Sequence, residues 1–506
     1  MISQHIRKVE FGDFQTPDEL ASLAVKLLAS KNIVPATIVE PTCGRGSFLV
    51  AALKQFPHSG AAIGLEIHPD YFKVANERVM SLRCSQQVDM RQADFFRFDW
   101  SKVFAEAAEP ILVIGNPPWV TASQLGALES ENLPRKSNFQ NHRGLDAVTG
   151  KSNFDIAEWM LIHLLEWLKG KEAMLAMLVK TSVARKVLCH AWKQGWPLVD
   201  AAIYAIDAGK HFGVSADAGL LVCRVGKGKG VTRCGIYDLD SPKALRQNLA
   251  FHNGWLLSDW DAFRRHQILL RDPHRAPFYR WRSGVKHDCS KVMELTRHTG
   301  GLTNGHGEIV TVEPDYLYPM LKGSAVANGR KTRASKYMLV TQTQTADPTN
   351  VIRTAAPNTW TYLTKHGEEL DGRGSSIYRK RPRFCIFGIG EYTFAPWKVA
   401  ICGLYKRLEF SIIGPRDGKP VVVDDTVYFL SCQSKEEADL LVGLLDTPEA
   451  REFLGSFIFW DAKRPITAEI LGRLDLESLA KMHDKLDRLT ALRKKTAATG
   501  AQPRLF

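Results

Sequence analysis

Short apolar runs alternate with amphipathic segments along the first 240 residues. Runs at residues 37–40, 62–65, 111–113 and 173–179 have the length and the aliphatic composition of buried strands. Around these runs, apolar residues recur at intervals of three and four, as they do over residues 20–28, which predicts amphipathic helices. Strands that alternate with helices form a doubly wound, largely parallel sheet, so the pattern predicts a Rossmann-like α/β fold.

The first predicted helix carries an almost complete set of start signals. Thr16 suits the N-cap, Pro17 suits the first helical position, and Glu19 lies three residues after the cap. Thr and Glu at this spacing form a capping box, in which each side chain satisfies a backbone N–H of the first turn. We therefore expect Thr16 to cap this helix.

Beyond residue 225 the regular alternation fades. A Gly-Lys-Gly-Lys-Gly stretch at residues 226–230 is typical of a connecting loop or linker. The sequence thus predicts an α/β domain over residues 1–235 and a mixed α+β domain over residues 236–470. Residues 471–506 are predicted to form an amphipathic helix and a tail, because apolar residues recur at helical spacing over residues 479–492. Packing on the protein body is the favoured use of that helix, ahead of oligomerisation.

Composition is that of a globular protein. Of the 506 residues, 45% are apolar and 24% are charged, and the length suggests two to four domains. No apolar run could span a bilayer and the first five residues show no signal-peptide core, so an intracellular, cytoplasmic location without membrane attachment is expected. The nine cysteines form no Cys-x-x-Cys pair, which predicts free thiols and no metal site.

Net charge indicates a polyanionic partner. Sixty-seven Lys and Arg against 54 Asp and Glu give +13, which favours a nucleic acid because phosphates attract basic side chains regardless of sequence. Two basic clusters with interleaved aromatic residues suit phosphate contacts: Arg280, Arg282 and Lys286 in the first, and Arg379, Lys380 and Arg381 in the second. A solvated basic face is the alternative for each. Gln342, Gln344 and Asn350 are available for reading base edges.

The most informative stretch lies at residues 114–119, which read Ile-Gly-Asn-Pro-Pro-Trp directly after an apolar run. Two consecutive prolines stiffen the turn and aim its carbonyls. Asn116 contributes an amide oxygen, Pro117 a backbone carbonyl that Pro118 helps to fix, and Trp119 a flat aromatic face. Such a turn can hold a planar amino group by its two hydrogens, although an ordinary strand-ending turn reads the same way.

Acidic and glycine residues follow the neighbouring strands in order. Residues 40–48 read Glu-Pro-Thr-Cys-Gly-Arg-Gly-Ser-Phe, a strand end followed by a glycine turn and a helix, where a nucleotide-like ligand can approach the backbone. Glu66 ends the next strand and suits the carboxylate that binds ribose hydroxyls. Asp94, with Phe95 beside it, follows a third candidate strand and suits an adenine ring.

This order of motifs resembles that of the gamma-class amino-methyltransferases of DNA over residues 11–225. The resemblance implies S-adenosylmethionine as cofactor, an N6-adenine-specific methyltransferase of the restriction-modification type, a catalytic domain over residues 1–235 and a DNA target-recognition domain over residues 236–470. It places the catalytic turn at Asn116, Pro117, Pro118 and Trp119. It places the cofactor site at Gln15, Thr16, Pro17, Glu40, Pro41, Thr42, Gly44, Gly46, Glu66, Ile67, Asp94 and Phe95.

The resemblance also implies that the target base leaves the double helix. Trp119 and Phe212 are the expected stacking partners of a flipped adenine, and a core position just before a strand is the alternative for Phe212. Tyr or Phe is commoner than Trp after the two prolines in this family. A separately encoded restriction endonuclease is an open possibility as a partner, and a prokaryotic, nucleoid-associated location follows.

Several functional alternatives stay open. The same turn serves N4-cytosine methyltransferases of DNA and methyltransferases of RNA bases or of protein glutamine. A DNA-binding protein with a lapsed catalytic site is disfavoured by the intact motifs, and a fused nuclease by the early start of the first helix. Methylation of cytosine carbon 5 normally uses a thiolate in a Pro-Cys dipeptide, and the sequence contains none.

Overall fold

The computed structural model describes residues 14–120, 155–329 and 336–498. The chain divides into two compact units, Met1–Trp260 and Asp261–Phe506. Within the described parts, no helix combines the length and the hydropathy needed to cross a membrane.

The first unit is built on a ten-stranded sheet. Its strands are β1 Thr37–Glu40, β2 Ala61–Glu66, β3 Gln87–Gln92, β4 Ile111–Gly115, β5 Ala173–Lys180, β6 Leu198–Ile206, β7 Ala218–Val225, β8 Arg233–Asp238, β9 Gln247–His252 and β10 Trp255–Leu257. They lie in the order β10-β9-β8-β6-β7-β5-β4-β1-β2-β3. Strands β1 to β5 run parallel to one another, and β7 inserts antiparallel between β5 and β6. The predicted doubly wound sheet is confirmed.

Helices cover the sheet of the first unit. They are α1 Asp18–Ala29, α2 Ser47–Gln55, α3 Pro69–Ser81, α4 Trp100–Glu106, α5 Ile156–Trp167, α6 Thr181–Lys193 and α7 Ala208–Phe212. The buried residues of α1 include Leu20, Ala24 and Leu28, which lie at the predicted helical spacing, whereas Leu23 of the same apolar series is exposed. Burial of such faces supplies most of the free energy that stabilises a helix in a folded protein.

Strand register brings the candidate chemistry to one edge of the sheet. Thr37 lies beside Ala61 on β2 and beside Ile111 on β4, and β1, β2 and β4 all run in the same direction. Their carboxyl ends therefore meet at one edge, where β1 ends at Glu40, β2 at Glu66 and β4 at Gly115. This edge is where ligands bind in open α/β sheets.

The expected capping box on the first helix is wrong. The helix begins at Asp18 with Pro17 as its N-cap, and no side chain caps it. The Thr16 hydroxyl instead accepts a hydrogen bond from the Asn116 amide at 3.2 Å. The Thr16 hydroxyl therefore takes part in a tertiary contact and not in the helix cap that the local sequence predicts.

Strands β8 to β10 extend the first sheet beyond the expected domain boundary. Strand β8 pairs parallel with β6 and antiparallel with β9, and β10 follows at the sheet edge. Residue 235 therefore falls inside a strand of the first unit, and the first unit continues to Trp260. The Gly-Lys-Gly-Lys-Gly stretch joins two strands of one sheet rather than two units.

The second unit contains two smaller, mainly antiparallel sheets, one in the order β11-β20-β17-β18 and one in the order β14-β13-β12-β16-β15-β19. The strands are β11 Arg282–Ser283, β12 Glu294–His298, β13 Gly301–Thr303, β14 Ile309–Val310, β15 Leu317–Leu321, β16 Lys336–Leu339, β17 Trp397–Cys402, β18 Ser411–Ile413, β19 Val422–Val423 and β20 Val427–Cys432. The helices are α8 Trp260–Arg265, which begins at the last residue of the first unit, α9 Ser290–Met293, α10 Gly323–Ala327, α11 Ile352–Ala355, α12 Pro357–Lys365, α13 Gly367–Asp371, α14 Lys435–Leu445, α15 Pro448–Gly455, α16 Ala468–Leu471, α17 Leu476–Met482 and α18 Leu486–Ala498.

The predicted C-terminal helix is two helices. Helix α17 ends at Met482 and α18 begins at Leu486, and Asp484 between them has a φ of 54°, which no α-helix tolerates. Leu479 and Leu489 are buried, so both helices pack on the second unit, while residues 499–506 lie outside the described residues.

Candidate active site

A pocket opens at the carboxyl edge of strands β1 to β4. Its walls include ten of the residues predicted for the site: Gln15, Pro41, Thr42, Gly44, Glu66, Ile67, Asp94, Phe95, Asn116 and Pro118. An adjoining pocket is lined by Thr16 and Glu40 together with Asn116. The motifs that the sequence spreads over 100 residues thus surround one space.

The glycine loop at residues 43–46 lies beside this pocket, and Gly44, which lines it, has no side chain. Gly44 has a φ of 52° and Gly46 a φ of 79°, both in the left-handed region that favours glycine. A Cβ on Gly44 would come within 2.7 Å of the Gln15 side-chain oxygen. That oxygen accepts the Arg45 N–H at 3.0 Å, so Gln15 fixes the loop.

Glu66 holds the glycine loop from the end of β2. Its carboxylate accepts the Gly44 N–H at 2.7 Å and the His68 N–H at 2.8 Å. The residue is 8% exposed, and burial raises the pKa of Glu66 above its ordinary value although both N–H groups act against that rise. Each carboxylate oxygen keeps a lone pair that can accept from a ligand hydroxyl.

Glu40 lies deeper and supports α2. Its carboxylate accepts the Leu49 N–H at 2.8 Å, which satisfies one of the free N–H groups in the first turn of that helix. Glu40 is 2% exposed, and burial raises its pKa well above the ordinary value, a rise that the neighbouring Glu66 adds to.

Asp94 and Phe95 form the wall beyond β3. Asp94 accepts the Phe96 N–H at 2.9 Å, which stiffens the loop, and Arg97 lies 3.5 Å from the carboxylate. Phe95 is 5% exposed because its ring also packs against Trp100 with centroids 5.3 Å apart. Phe95 therefore lines the pocket while most of its surface is covered by other side chains.

The Asn116 amide is oriented and half satisfied. Its Nδ2 donates to the Phe14 carbonyl at 2.8 Å and to the Thr16 hydroxyl at 3.2 Å. Because a carbonyl only accepts, the nitrogen must face Phe14, and the assignment of the two amide atoms is fixed. The other atom, Oδ1, is buried and has no hydrogen-bond partner among the described residues.

Trp119 is more buried than a stacking platform requires. It is 6% exposed, its indole N–H donates to the Leu178 carbonyl at 3.2 Å, and it does not line the pocket. Its ring lies 5.6 Å from Phe14 and 5.3 Å from Phe212, and these three form an aromatic cluster. Phe14 and Phe212 are half-buried, so they carry the accessible faces of the cluster.

Some predicted residues stand behind the pocket, and some pocket residues were not predicted. Pro17, Gly46 and Pro117 line neither of the two pockets described above. The larger pocket is lined in addition by Phe14, Leu65, His68, Tyr71, Ala93, Phe96 and Met160. Phe14 belongs to the opening motif that the resemblance places at residues 14–17. Proximity to the motifs could have indicated His68 and Phe96, whereas the walls at Tyr71 and Met160 depend on how two helices pack.

The two predicted basic clusters adjoin in the second unit. Lys286 and Phe387 exchange backbone hydrogen bonds of 2.8 and 2.9 Å, so the stretch around residue 286 runs beside the stretch around residue 387. Tyr378, next to the second cluster, packs its ring on Phe387 at 5.4 Å. Arg280 is exposed and Arg282 lies over the Tyr392 ring at 4.5 Å.

Basic residues near these clusters differ in availability. Arg379, Lys380 and Arg381 are exposed, and no ion pair engages them among the described residues. Arg373 instead donates to three backbone carbonyls, at 2.6, 3.1 and 2.8 Å, and Arg383 is paired with Asp371 at 2.8 Å.

Two of the three amide side chains predicted to be available for base contacts are exposed. Gln344 and Asn350 are exposed. Gln342 is 4% exposed and bonds backbone groups with both ends of its amide, so it is not available to read a base.

The strand order, with one antiparallel strand between β5 and β6 and a pocket at the carboxyl edge, defines the Rossmann-like fold of S-adenosylmethionine-dependent methyltransferases. The DNA-bound structure of the type IIL restriction-modification enzyme MmeI shares this fold, with a TM-score of 0.50 and 14% identity over 97% of this chain and 74% of that one.

Sequence comparison adds the family. Residues 4–182 match the N-6 DNA Methylase family. The type II methyltransferase M.NspV of a Nostoc species is 47% identical over 94% of this chain and 98% of its own length. The type II methyltransferase M.CvrRI of a Paramecium bursaria Chlorella virus is 30% identical over 22% of this chain and 25% of its own. The chain therefore belongs to the N-6 DNA methylases and is a DNA methyltransferase.

Proposed function

We propose that this enzyme transfers a methyl group from S-adenosylmethionine to the N6 amino group of an adenine at a specific sequence in duplex DNA. Asn116 Oδ1 carries the proposal, since it is a buried acceptor without a partner among the described residues, on an oriented amide at the pocket wall. An unsatisfied buried acceptor costs a fold about 1–3 kcal/mol, which a substrate N–H would recover. Family membership supports the same substrate class.

The pocket has the donors and acceptors that this cofactor needs. S-adenosylmethionine supplies an electrophilic methyl group when bound. Glu66 has lone pairs for ribose hydroxyls, and Asp94 has an oxygen for an adenine amino group. Thr42 adds a buried hydroxyl oxygen without a partner among the described residues, and Ile67 adds an apolar wall. The remaining predicted residues shape the loop and floor around these groups: Gln15, Thr16, Pro17, Glu40, Pro41, Gly44, Gly46 and Phe95.

The target amine is held rather than attacked by a protein nucleophile. Its lone pair is delocalised into the ring, so the site must localise that pair on the nitrogen. In the proposed mechanism Asn116 Oδ1 accepts one hydrogen and the Pro117 carbonyl accepts the other, while Pro118 restricts the turn. The nitrogen lone pair is then directed at the methyl group, and the extra proton leaves to solvent afterwards. Positioning of this kind can contribute about 7–11 kcal/mol.

The base reaches this site by leaving the duplex, at a cost of a few kcal/mol. Stacking on the aromatic cluster offsets that cost in the proposal. The half-buried rings of Phe212 and Phe14 are the proposed stacking faces, and Trp119 contributes as the buried ring on which both of them pack.

The second unit is proposed to select the sequence. Six basic residues are the proposed phosphate contacts: Arg280, Arg282, Lys286, Arg379, Lys380 and Arg381. Support comes from the adjoining position of the two clusters and from the exposure of the last three residues. The domain roles predicted from the sequence stay a proposal, with a target-recognition domain after the catalytic one and a C-terminal helical segment.

Tritiated S-adenosylmethionine and duplex DNA test the reaction directly. Label recovered as N6-methyladenine is the expected result. Label found only on cytosine N4 would assign the chain to the other amino-methyltransferases of DNA. Label in RNA or in a protein glutamine, with none in DNA, would overturn the substrate altogether.

Genomic DNA tests the setting of the reaction. We place the enzyme in the prokaryotic cytoplasm on nucleoid DNA, with a separately encoded restriction endonuclease as its counterpart. Single-molecule reading of genomic DNA from expressing cells should show modified adenines at one recurrent sequence. Scattered modification without a shared sequence would contradict site specificity.

A further inference from the structure

Lys180 contacts the catalytic turn from the neighbouring strand. It is the last residue of β5, which pairs in parallel with β4. Its ammonium group donates to the Trp119 carbonyl at 3.1 Å and to Asp155 at 2.8 Å. The lysine side chain is 28% exposed and the aspartate side chain 9%, so the pair is largely withdrawn from water.

Asp155 is itself fixed by the helix that it begins. Its second oxygen accepts the Ala157 N–H at 3.2 Å as the N-cap of α5. The adjacent Ile156 N–H donates to the Val120 carbonyl at 2.9 Å. Lys180 therefore links the Trp119 carbonyl to Asp155 at the start of α5. The backbone hydrogen bond between Ile156 and Val120 joins the same two segments.

The turn depends on such outside contacts. Prolines at positions 117 and 118 have no N–H, so neither can donate a hydrogen bond that would hold the turn. Asn116 anchors one end through Phe14 and Thr16. At the other end β5 holds Trp119 twice, since the Leu178 carbonyl accepts its indole N–H and Lys180 binds its backbone carbonyl.

We propose that Lys180, paired with Asp155, is a positioning residue for methyl transfer: it fixes the Trp119 carbonyl and thereby the orientation of the two acceptors that hold the target amine. This inference rests on the proposed function of the turn. Lys180 does not line the cofactor pocket, so its contribution lies in the rate of the chemical step and not in cofactor affinity.

Lys180→Met tests this role, with Lys186→Met as the matched control. Lys186 lies on α6, the helix after β5, and pairs at 2.9 Å with the buried Glu158 of α5. Among the described residues, it forms no hydrogen bond or ion pair with the turn. Both variants remove one lysine from one lysine–carboxylate pair. Only Lys180→Met also frees a carbonyl of the turn.

The readout separates positioning from folding. In single-turnover methylation of duplex DNA, Lys180→Met should lower the rate about 10- to 100-fold, the scale of a displacement near 1 Å in the reacting geometry. Calorimetric Kd for S-adenosylmethionine should stay within about twofold of wild type, because the pocket walls are untouched. Lys180→Arg should recover part of the rate, and Lys186→Met should match the wild-type rate even if its Tm falls.

Each outcome bears on one claim. A Lys180→Met rate equal to wild type would overturn the positioning role. If cofactor affinity falls by the same factor as the rate, or if the variant is unfolded at the assay temperature, Lys180 has a merely structural role and the positioning role is overturned too. Wild-type protein that fails to label DNA adenine in the same assay would instead overturn the proposed function.

Discussion

The two pocket glutamates of the first unit and Glu294 of the second unit are held in opposite ways. In the first unit Glu40 and Glu66 line the two adjoining pockets and are held by backbone N–H groups, and burial raises the pKa of both. In the second unit Glu294 is 7% exposed and lies within 3.5 Å of three basic side chains: His287, Lys322 and Lys336. Burial alone would raise the pKa of Glu294, but His287 and Lys322 outweigh burial and lower it to about 2.

This difference separates groups kept for a ligand from groups used by the fold. A carboxylate held by backbone N–H groups keeps free lone pairs, which can accept hydrogen bonds from a ligand. A carboxylate surrounded by cations has its charge compensated within the protein and is not available to bind a ligand. The same contrast holds for neutral groups, since Asn116 Oδ1 at the pocket has no partner among the described residues while both ends of the buried Gln342 amide are bonded.

Replacing the unsatisfied acceptor should have the largest effect. Asn116→Ala removes one of the two groups proposed to hold the amine, so methyl transfer should fall by at least about 100- to 1,000-fold, as when one preorganised hydrogen-bond partner is lost from other catalytic sites. Calorimetry should show S-adenosylmethionine binding within a few-fold of wild type. Turnover that stays undiminished would remove Asn116 from the mechanism.

The cation-bound carboxylate should matter to stability alone. Glu294→Gln leaves three basic groups without their common partner and should cost about 3 kcal/mol in denaturant unfolding, the scale of a broken buried pair. Because the folded pKa is depressed, the stabilisation from Glu294 is present above the ordinary pKa of 4.5 and is lost as pH falls through about 2. Cofactor affinity in the variant should not change, and a changed affinity would blur the contrast between the units.

Lys398 challenges the contrast, because it is a buried charge of the second unit without a carboxylate. It is 1% exposed, donates to the Ala395 carbonyl at 2.8 Å, and burial lowers its pKa to about 7. A depressed lysine pKa means that the unfolded chain binds the extra proton between pH 7 and pH 10.5, so stability should rise with pH there, by roughly 1.4 kcal/mol per unit.

The test of Lys398 is the slope and not the absolute stability. Urea unfolding at pH 7.5 and at pH 9.5 should differ by about 2 kcal/mol more in wild type than in Lys398→Met, from the same linkage. Equal slopes in the two proteins would show that the lysine stays charged in the fold and that the second unit tolerates an unpaired cation.

The sequence located the pocket because its residues sit at strand ends. Glu40, Glu66 and Asn116 follow apolar runs that could be recognised one by one, and parallel strands bring their carboxyl ends together without further information. Their order along the chain was therefore enough to predict one site.

Contacts that depend on register were beyond the sequence. The Thr16 hydroxyl was expected on its own helix but lies on Asn116, 100 residues away. Nothing in the local pattern marks Lys180 as the partner of Trp119, since the contact exists only because β5 pairs with β4. Trp119 was expected to face a base, and its burial follows from packing on Phe14 and Phe212.

Glu66→Gln sharpens the contrast at the pocket itself. The amide keeps one acceptor but replaces the other with a donor, so it loses either the Gly44 N–H or the His68 N–H, together with any ligand hydroxyl that the lost oxygen would accept. Cofactor Kd should rise about 10-fold, the equivalent of 1.4 kcal/mol and the scale of one hydrogen bond to a charged group. Because Glu294→Gln makes the same chemical change far from the pocket in sequence, equal cofactor affinity in the two variants would contradict the proposed role of Glu66.

The smallest expected effect concerns basic residues of the second unit, some of which form ion pairs within the protein while others are exposed and available for phosphates. Lys380 is exposed with no ion pair among the described residues, whereas Lys365 pairs with Glu308 at 2.7 Å. Lys380→Ala should weaken duplex binding a few-fold for every sequence and reduce the salt dependence of log K by about one ion, as loss of a phosphate contact does. Lys365→Ala removes the same formal charge and should leave the slope near wild type. Identical slopes in the two variants would mean that net charge alone attracts DNA and that the basic clusters are a solvated face.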